Sequence, residues 1–157
     1  MSESFLYKLG VPRQCISKER SAKEHGRFIR LAVKEDWIVE RGQVDGCWIR
    51  GTDQKKVDFL FHIATGPHAS AHRAALVELK GGHIGHALDQ VDSTLSYLSR
   101  IPHWNKATDL KRFAFIVVSN GRNLPHYQQK ISAIRKQYQV KITIREQIEI
   151  KAKDIDL

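Results

Sequence analysis

The chain has 157 residues, 41% hydrophobic and 27% charged, with a formal net charge of +9. That size suits one globular domain with a real core, spanning 1–157, and the excess of Lys and Arg suits a polyanionic partner, most simply nucleic acid. No run is long and apolar enough to span a membrane, Met1-Ser2-Glu3-Ser4-Phe5 has no signal-peptide pattern, and Cys15 and Cys47 are far apart, which argues against a disulfide scaffold or a zinc ribbon and for a reducing, cytoplasmic setting.

In chain order, residues 1–16 read as an irregular lead-in ending near Pro12. A helix is expected from about Ser17 or Ser21 to Lys34. Gly42 to Arg50 reads as a strand, followed by a Gly51-Thr52-Asp53 turn. Lys56-Val57-Asp58-Phe59-Leu60-Phe61 is a second strand, residues 64–73 a loop, and Ala75-Leu76-Val77-Glu78-Leu79-Lys80 a third strand that stops at Gly81-Gly82. Ile84, Leu88, Val91, Leu95 and Leu98 recur at helical spacing, which predicts a helix ended by Pro102. Phe113 to Val118 is apolar throughout and reads as a buried strand. A helix from about Pro125 to Tyr138 and an alternating strand from Val140 to Ile144 follow. The charged tail from Lys151 is expected to fray.

Two of these strands carry charge where a core strand should have none. Burying a carboxylate or an ammonium is costly unless it is paired or holds a metal. Strand side chains alternate, so Leu76, Glu78 and Lys80 share one face, as do Asp58, Leu60 and His62. If the strands pair, Asp58 sits beside Glu78. Two adjacent carboxylates repel unless a cation lies between them. Hard oxygen ligands suit Mg²⁺ or Mn²⁺ rather than zinc. A neighbouring Lys can stabilise charge on phosphoryl oxygens.

An Asp followed by Glu-x-Lys on neighbouring strands resembles the PD-(D/E)XK nuclease superfamily, which includes restriction endonucleases and Holliday-junction resolvases. Val57 stands where the family usually has Pro. The resemblance covers roughly residues 20–120 and implies an α/β, restriction-endonuclease-like αβββαβ core. Its central mixed sheet would be flanked by helices, with residues 125–147 as a helix-strand extension. It implies a hydrolase: a Mg²⁺- or Mn²⁺-dependent DNA endonuclease of repair, recombination or defence type. Asp58, Glu78 and the Leu79 carbonyl would hold metal, and Lys80 and Gln90 would act on the attacking water. Gln90 also reads as a polar residue flanking the core. Glu24 is either a further ligand, as in some resolvases, or the end of a Ser21-Ala22-Lys23-Glu24 capping box.

Arg27, Arg30, Arg122 and Lys130 are candidate nucleic-acid contacts, with His83 and His86 facing phosphate or solvent. His62, His68 and His72 complete a histidine-rich stretch without zinc-ligand spacing. DNA is favoured over RNA, and a homodimer or a larger protein complex is a natural setting. The alternatives are a nucleic-acid-binding assembly subunit with a nuclease fold, and an RNA-cleaving nuclease toxin.

Overall fold

The computed structural model describes residues 4–24, 26–51, 54–65, 71–79, 83–119, 124–146 and 149–156. Nine strands and four α-helices lie among them. In chain order they are α1 (Phe5–Leu9), β1 (Ile16–Ser17), β2 (Ser21–Glu24), β3 (Arg27–Ala32), β4 (Ile38–Gln43), β5 (Phe59–Ala64) and β6 (His72–Leu79). Then follow α2 (Ile84–Leu98), α3 (Pro102–Lys106), β7 (Leu110–Val117), α4 (Gln128–Tyr138), β8 (Val140–Arg145) and β9 (Glu149–Lys151).

The protein is α/β, built on a six-stranded mixed sheet in the order β1-β4-β5-β6-β7-β8 and a three-stranded sheet β2-β3-β9. The meander β4-β5-β6 is antiparallel. β7 and β8 then add parallel to β6. Alternation sorts the core into two layers. Leu60, Leu76, Ala114 and Ile116 face α1 to α4, while Phe59, Phe61, Val77 and Phe115 face the small sheet. Helices therefore cover one face of the large sheet only. The expectation of helices on both sides is corrected, because the second face is closed by β2, β3 and β9.

The expected helix over residues 17–34 is not formed. Ile29 and Leu31 are buried while Phe28 and Arg30, which alternate with them, are exposed, a period of two rather than 3.6. β2 and β3 pair as an antiparallel hairpin. The helix that precedes the meander is α1, where Ser4 caps the start through its Oγ and Gly10 ends the turn at φ 109°. Only a left-handed residue closes a helix this way without strain.

The first strand of the meander lies earlier than the expected 42–50. β4 ends at Gln43, and the chain then turns, with the Trp48 amide donating to the Gln43 carbonyl at 3.1 Å. That turn brings Cys47 to Cys15, Cα to Cα 5.7 Å, and the two form a disulfide. The expectation against a disulfide is corrected. Disulfides persist in oxidising compartments.

The tail does not fray. β9 pairs with β3, with Leu31 opposite Ile150. Arg73, buried on β6, donates to the Ile155 carbonyl and to Asp156 at 2.6 Å. α2 and α4 match the sequence pattern: Ile84, Leu88, Val91, Leu95 and Leu98 are all buried, as are Ile131 and Ile134. Pro125 falls in a 3-10 turn just before α4.

Candidate active site

The β5–β6 ladder ends at the pair Phe59–Val77. One step further in the same register sets Asp58 opposite Glu78, where neighbouring Cβ atoms stand about 5 Å apart. The β5–β6 ladder does not reach this pair, so the amides it would have served need other acceptors. Side chains supply these reciprocally. The Asp58 amide donates to Glu78 Oε1 at 3.1 Å, and the Leu79 amide donates to Asp58 Oδ2 at 2.9 Å. Both acids are almost fully enclosed, Asp58 at 3% exposure and Glu78 at 1%. Their residue parity puts them on the helix-covered face, with Leu60 and Leu76.

Asp58 is also fixed from behind. Its carbonyl accepts from the Val44 amide at 3.0 Å and the Asp45 amide at 3.4 Å. The segment leading into it is stapled to α2 at three points. Gln54 Nε2 donates to Ser93 Oγ at 2.9 Å, Gln90 Nε2 donates to the Lys56 carbonyl at 3.0 Å, and the Val57 amide donates to Thr94 Oγ1 at 3.0 Å. Thr94 is fully buried and in turn donates to the Gln90 carbonyl at 2.8 Å. Lys56 is buried as well, its Nζ bonded to the Gly51 and Gln54 carbonyls and 3.8 Å from Asp45 Oδ1. Buried lysine costs less when its ammonium protons all find oxygens.

The residues anticipated from sequence do not all meet. Asp58, Glu78 and Leu79 come together. Gln90 joins them indirectly: its amide nitrogen holds the strand that carries Asp58, and its Oε1 is buried without a partner among the described residues. Lys80 and Arg122 lie outside the described residues. His83 and His86 stand exposed at the start of α2, the helix that follows Glu78.

Glu24, Arg27 and Arg30 do not join the site. They sit on β2 and β3 of the small sheet, which packs against the opposite face of the large one. Glu24 is neither a helix cap nor a neighbour of the acid pair, because the expected helix is a hairpin. Arg30 pairs with Glu149 at 3.3 Å. Lys130 is a strut between α4 and α2: it bonds Asp89 and approaches the Gly85 carbonyl at 3.4 Å. The Lys130 ammonium holds the Asp89 carboxyl below its ordinary range.

His62 shares the Asp58 face but lies four residues along β5, about 13 Å away. There its Nε2 meets His72 Nδ1 at 2.9 Å and its ring stacks on Phe5, centroids 4.5 Å apart. His103 adds a third imidazole to the Phe5 ring at 4.8 Å. Burial pushes His62 down to about 3, reinforced by His72 and then His103. His72 and His103 are lowered too, burial again leading.

Thr94, Gln54 and Lys56 were not singled out by the sequence reading as site residues. A signal existed: a β-branched hydroxyl one helical turn after Gln90, and a lysine abutting an apolar strand. Among the described residues no group of three or more His, Cys, Asp or Glu forms a metal cluster. Two carboxylates side by side still offer hard oxygen donors, and Mg²⁺ typically takes one or two carboxylates and keeps several waters. No family model, curated protein or solved structure matches the chain.

Proposed function

We propose that the protein is a metal-dependent nuclease, a hydrolase of phosphodiester bonds acting on DNA in preference to RNA. The observation that carries this reading is the reciprocal clasp of Asp58 and Glu78. Two carboxylates are buried beside one another and oriented by each other's strand. A fold does not need such a pair for packing, since burying charge costs stability. The order α1, then β4-β5-β6-α2-β7, with β1 to β3 inserted after α1 and α3 before β7, supports a restriction-endonuclease-like core in which α1 replaces the longer first helix.

In this reading Asp58, Glu78 and the Leu79 carbonyl hold Mg²⁺ or Mn²⁺. The ion would supply charge neutralisation at the phosphoryl group and ease ionisation of a water. The chain's own contributions are positional. α2 fixes the Asp58 strand through Gln90 and Thr94. The Gln90 Oε1 can only accept a hydrogen bond, which suits a water rather than a phosphate oxygen. Lys80, two residues after Glu78 in sequence, would supply an ammonium against developing negative charge.

The test is incubation with linear, branched and single-stranded DNA and with structured RNA, in Mg²⁺, Mn²⁺ or EDTA. The proposal expects cleavage of at least one substrate, abolished by EDTA. Absence of cleavage from every substrate in both metals would sink it.

A further inference from the structure

From Leu110 to Arg145 the sequence holds eight Lys and Arg and no Asp or Glu. The described part of that stretch is β7, α4 and β8, at the β8 end of the large sheet. Several of these cations are already engaged. Lys130 bonds Asp89, Arg145 bonds Asp154 at 2.9 Å, and Arg112 donates to the Leu110 and Trp104 carbonyls. Lys111 has a partner of its own, and Arg122 lies outside the described residues.

The three that remain are Arg135, Lys136 and Lys141, whose side chains make no ion pair or hydrogen bond among the described residues. All three line one open groove of about 670 Å³, together with Ser132, Gln139 and Val140. The groove forms where α4 turns into β8 through Gln139, held in the left-handed region at φ 53°. Among the described residues no carboxylate lines it. Helix C-termini favour cations in their last turn, which accounts for Arg135 and Lys136 but not for Lys141 on the adjoining strand.

We infer that this groove binds the phosphodiester backbone of the nucleic acid that the Asp58–Glu78 site is proposed to cut. The inference rests on that reading for its occupant. Arg135 and Lys136 at the end of α4 and Lys141 on the adjoining edge strand, with a hydroxyl and an amide, line a groove that has no carboxylate among the described residues, and such a lining suits a polyanion contacted without base reading. α4 packs on the same face of the sheet as the acid pair. In register, Glu78 faces Ile116 and Ile116 faces Ile144. The groove at Val140 and Lys141 is therefore two strands across and about four residues down, roughly 15 Å from Glu78. One duplex backbone can span that distance in under half of a turn of about 34 Å.

The experiment measures binding in EDTA, where cleavage plays no part, by fluorescence anisotropy with duplex DNA and with structured RNA. Wild type is compared with R135A/K136A/K141A and with the control K18A/K23A/R27A, which removes three charges from the other side of the molecule. Melting curves establish that both variants fold, and single-site Lys136→Gln covers failure of the triple. The groove variant is expected to bind about tenfold more weakly, with a salt slope shallower by about two to three, while the control stays near wild type. Equal weakening of both variants, no weakening of the groove variant, or no binding by wild type would each overturn the inference. Groove-dependent binding without Mg²⁺-dependent cleavage would uphold the groove and sink the nuclease.

Discussion

Asp58 and Glu78 hold each other through the main chain: the amide of Asp58 donates to the Glu78 carboxylate, and the amide after Glu78 donates to the Asp58 carboxylate. Each acid thereby replaces a rung that the β5–β6 ladder no longer supplies. Asp58→Ala removes the acceptor for the buried Leu79 amide and should cost about 1–3 kcal/mol. Asp58→Asn keeps a carbonyl oxygen and relieves carboxylate repulsion, so its fold should be unchanged or slightly more stable. Urea unfolding of the two variants checks this. If Asn costs as much as Ala, the negative charge is a structural partner and not a stored ligand.

Thr94 is the positioning residue for Asp58. Thr94→Val preserves shape and removes the acceptor for the Val57 amide, leaving a buried donor unpaired at a cost of about 1–3 kcal/mol. Cleavage should fall, because the strand carrying Asp58 loses its anchor to α2. Thr94→Ser keeps the hydroxyl and should recover most of the activity. Equal loss in Val and Ser would point to packing of the methyl group instead.

The imidazoles around Phe5 make the fold acid-sensitive. His62 drops from its ordinary 6.5 to about 3 because it is buried and faces His72 and His103. Neighbouring charges come from Lys8 on α1, Glu40 opposite His62 on β4, and Asp109 and Arg112 beside His72. A depressed folded-state value means that the unfolded chain binds the proton first. Stability is therefore full above about pH 6.5 and falls as the pH drops toward 3. Between pH 7.5 and 4.5 the loss from His62 should be on the order of 3 kcal/mol. His62→Gln should flatten that part of the curve, and parallel curves for the two proteins would contradict the assignment.

The Cys15–Cys47 bond closes a loop with a sequence separation of 32. Chain-entropy arguments give about 3–4 kcal/mol for a loop of that length. Unfolding with and without dithiothreitol, alongside C15S/C47S, measures it. An unchanged midpoint on reduction would mean that the bond does not form in solution.

The parts of the fold written in local periodicity were legible. α2 was read from its apolar stripe, β7 from its unbroken apolar run, and the Asp58–Glu78 pairing from charges inside two apolar strands. The hairpin of β2 and β3 was not. Ser21-Ala22-Lys23-Glu24 imitates a capping box, and Ile29 and Leu31 are too few to show a period of two against it. β9 pairs with a strand more than a hundred residues earlier in sequence, so nothing local marks Ile150 as a strand residue. The meeting of Cys15 with Cys47 depends on where β4 ends, which neither cysteine signals. Glu24 follows the hairpin rather than a helix, and Thr94 reads in sequence as one more polar flank because a buried hydroxyl in a helix gives no other signal.

The most direct test compares wild type, Lys80→Ala and Asp58→Asn on a substrate that wild type cleaves in Mg²⁺, with melting curves for all three. The account predicts normally folded variants whose cleavage is lost and whose binding to the same substrate in EDTA persists. Undiminished cleavage by either variant, while wild type remains EDTA-sensitive, would place the chemistry elsewhere in the molecule and contradict the account.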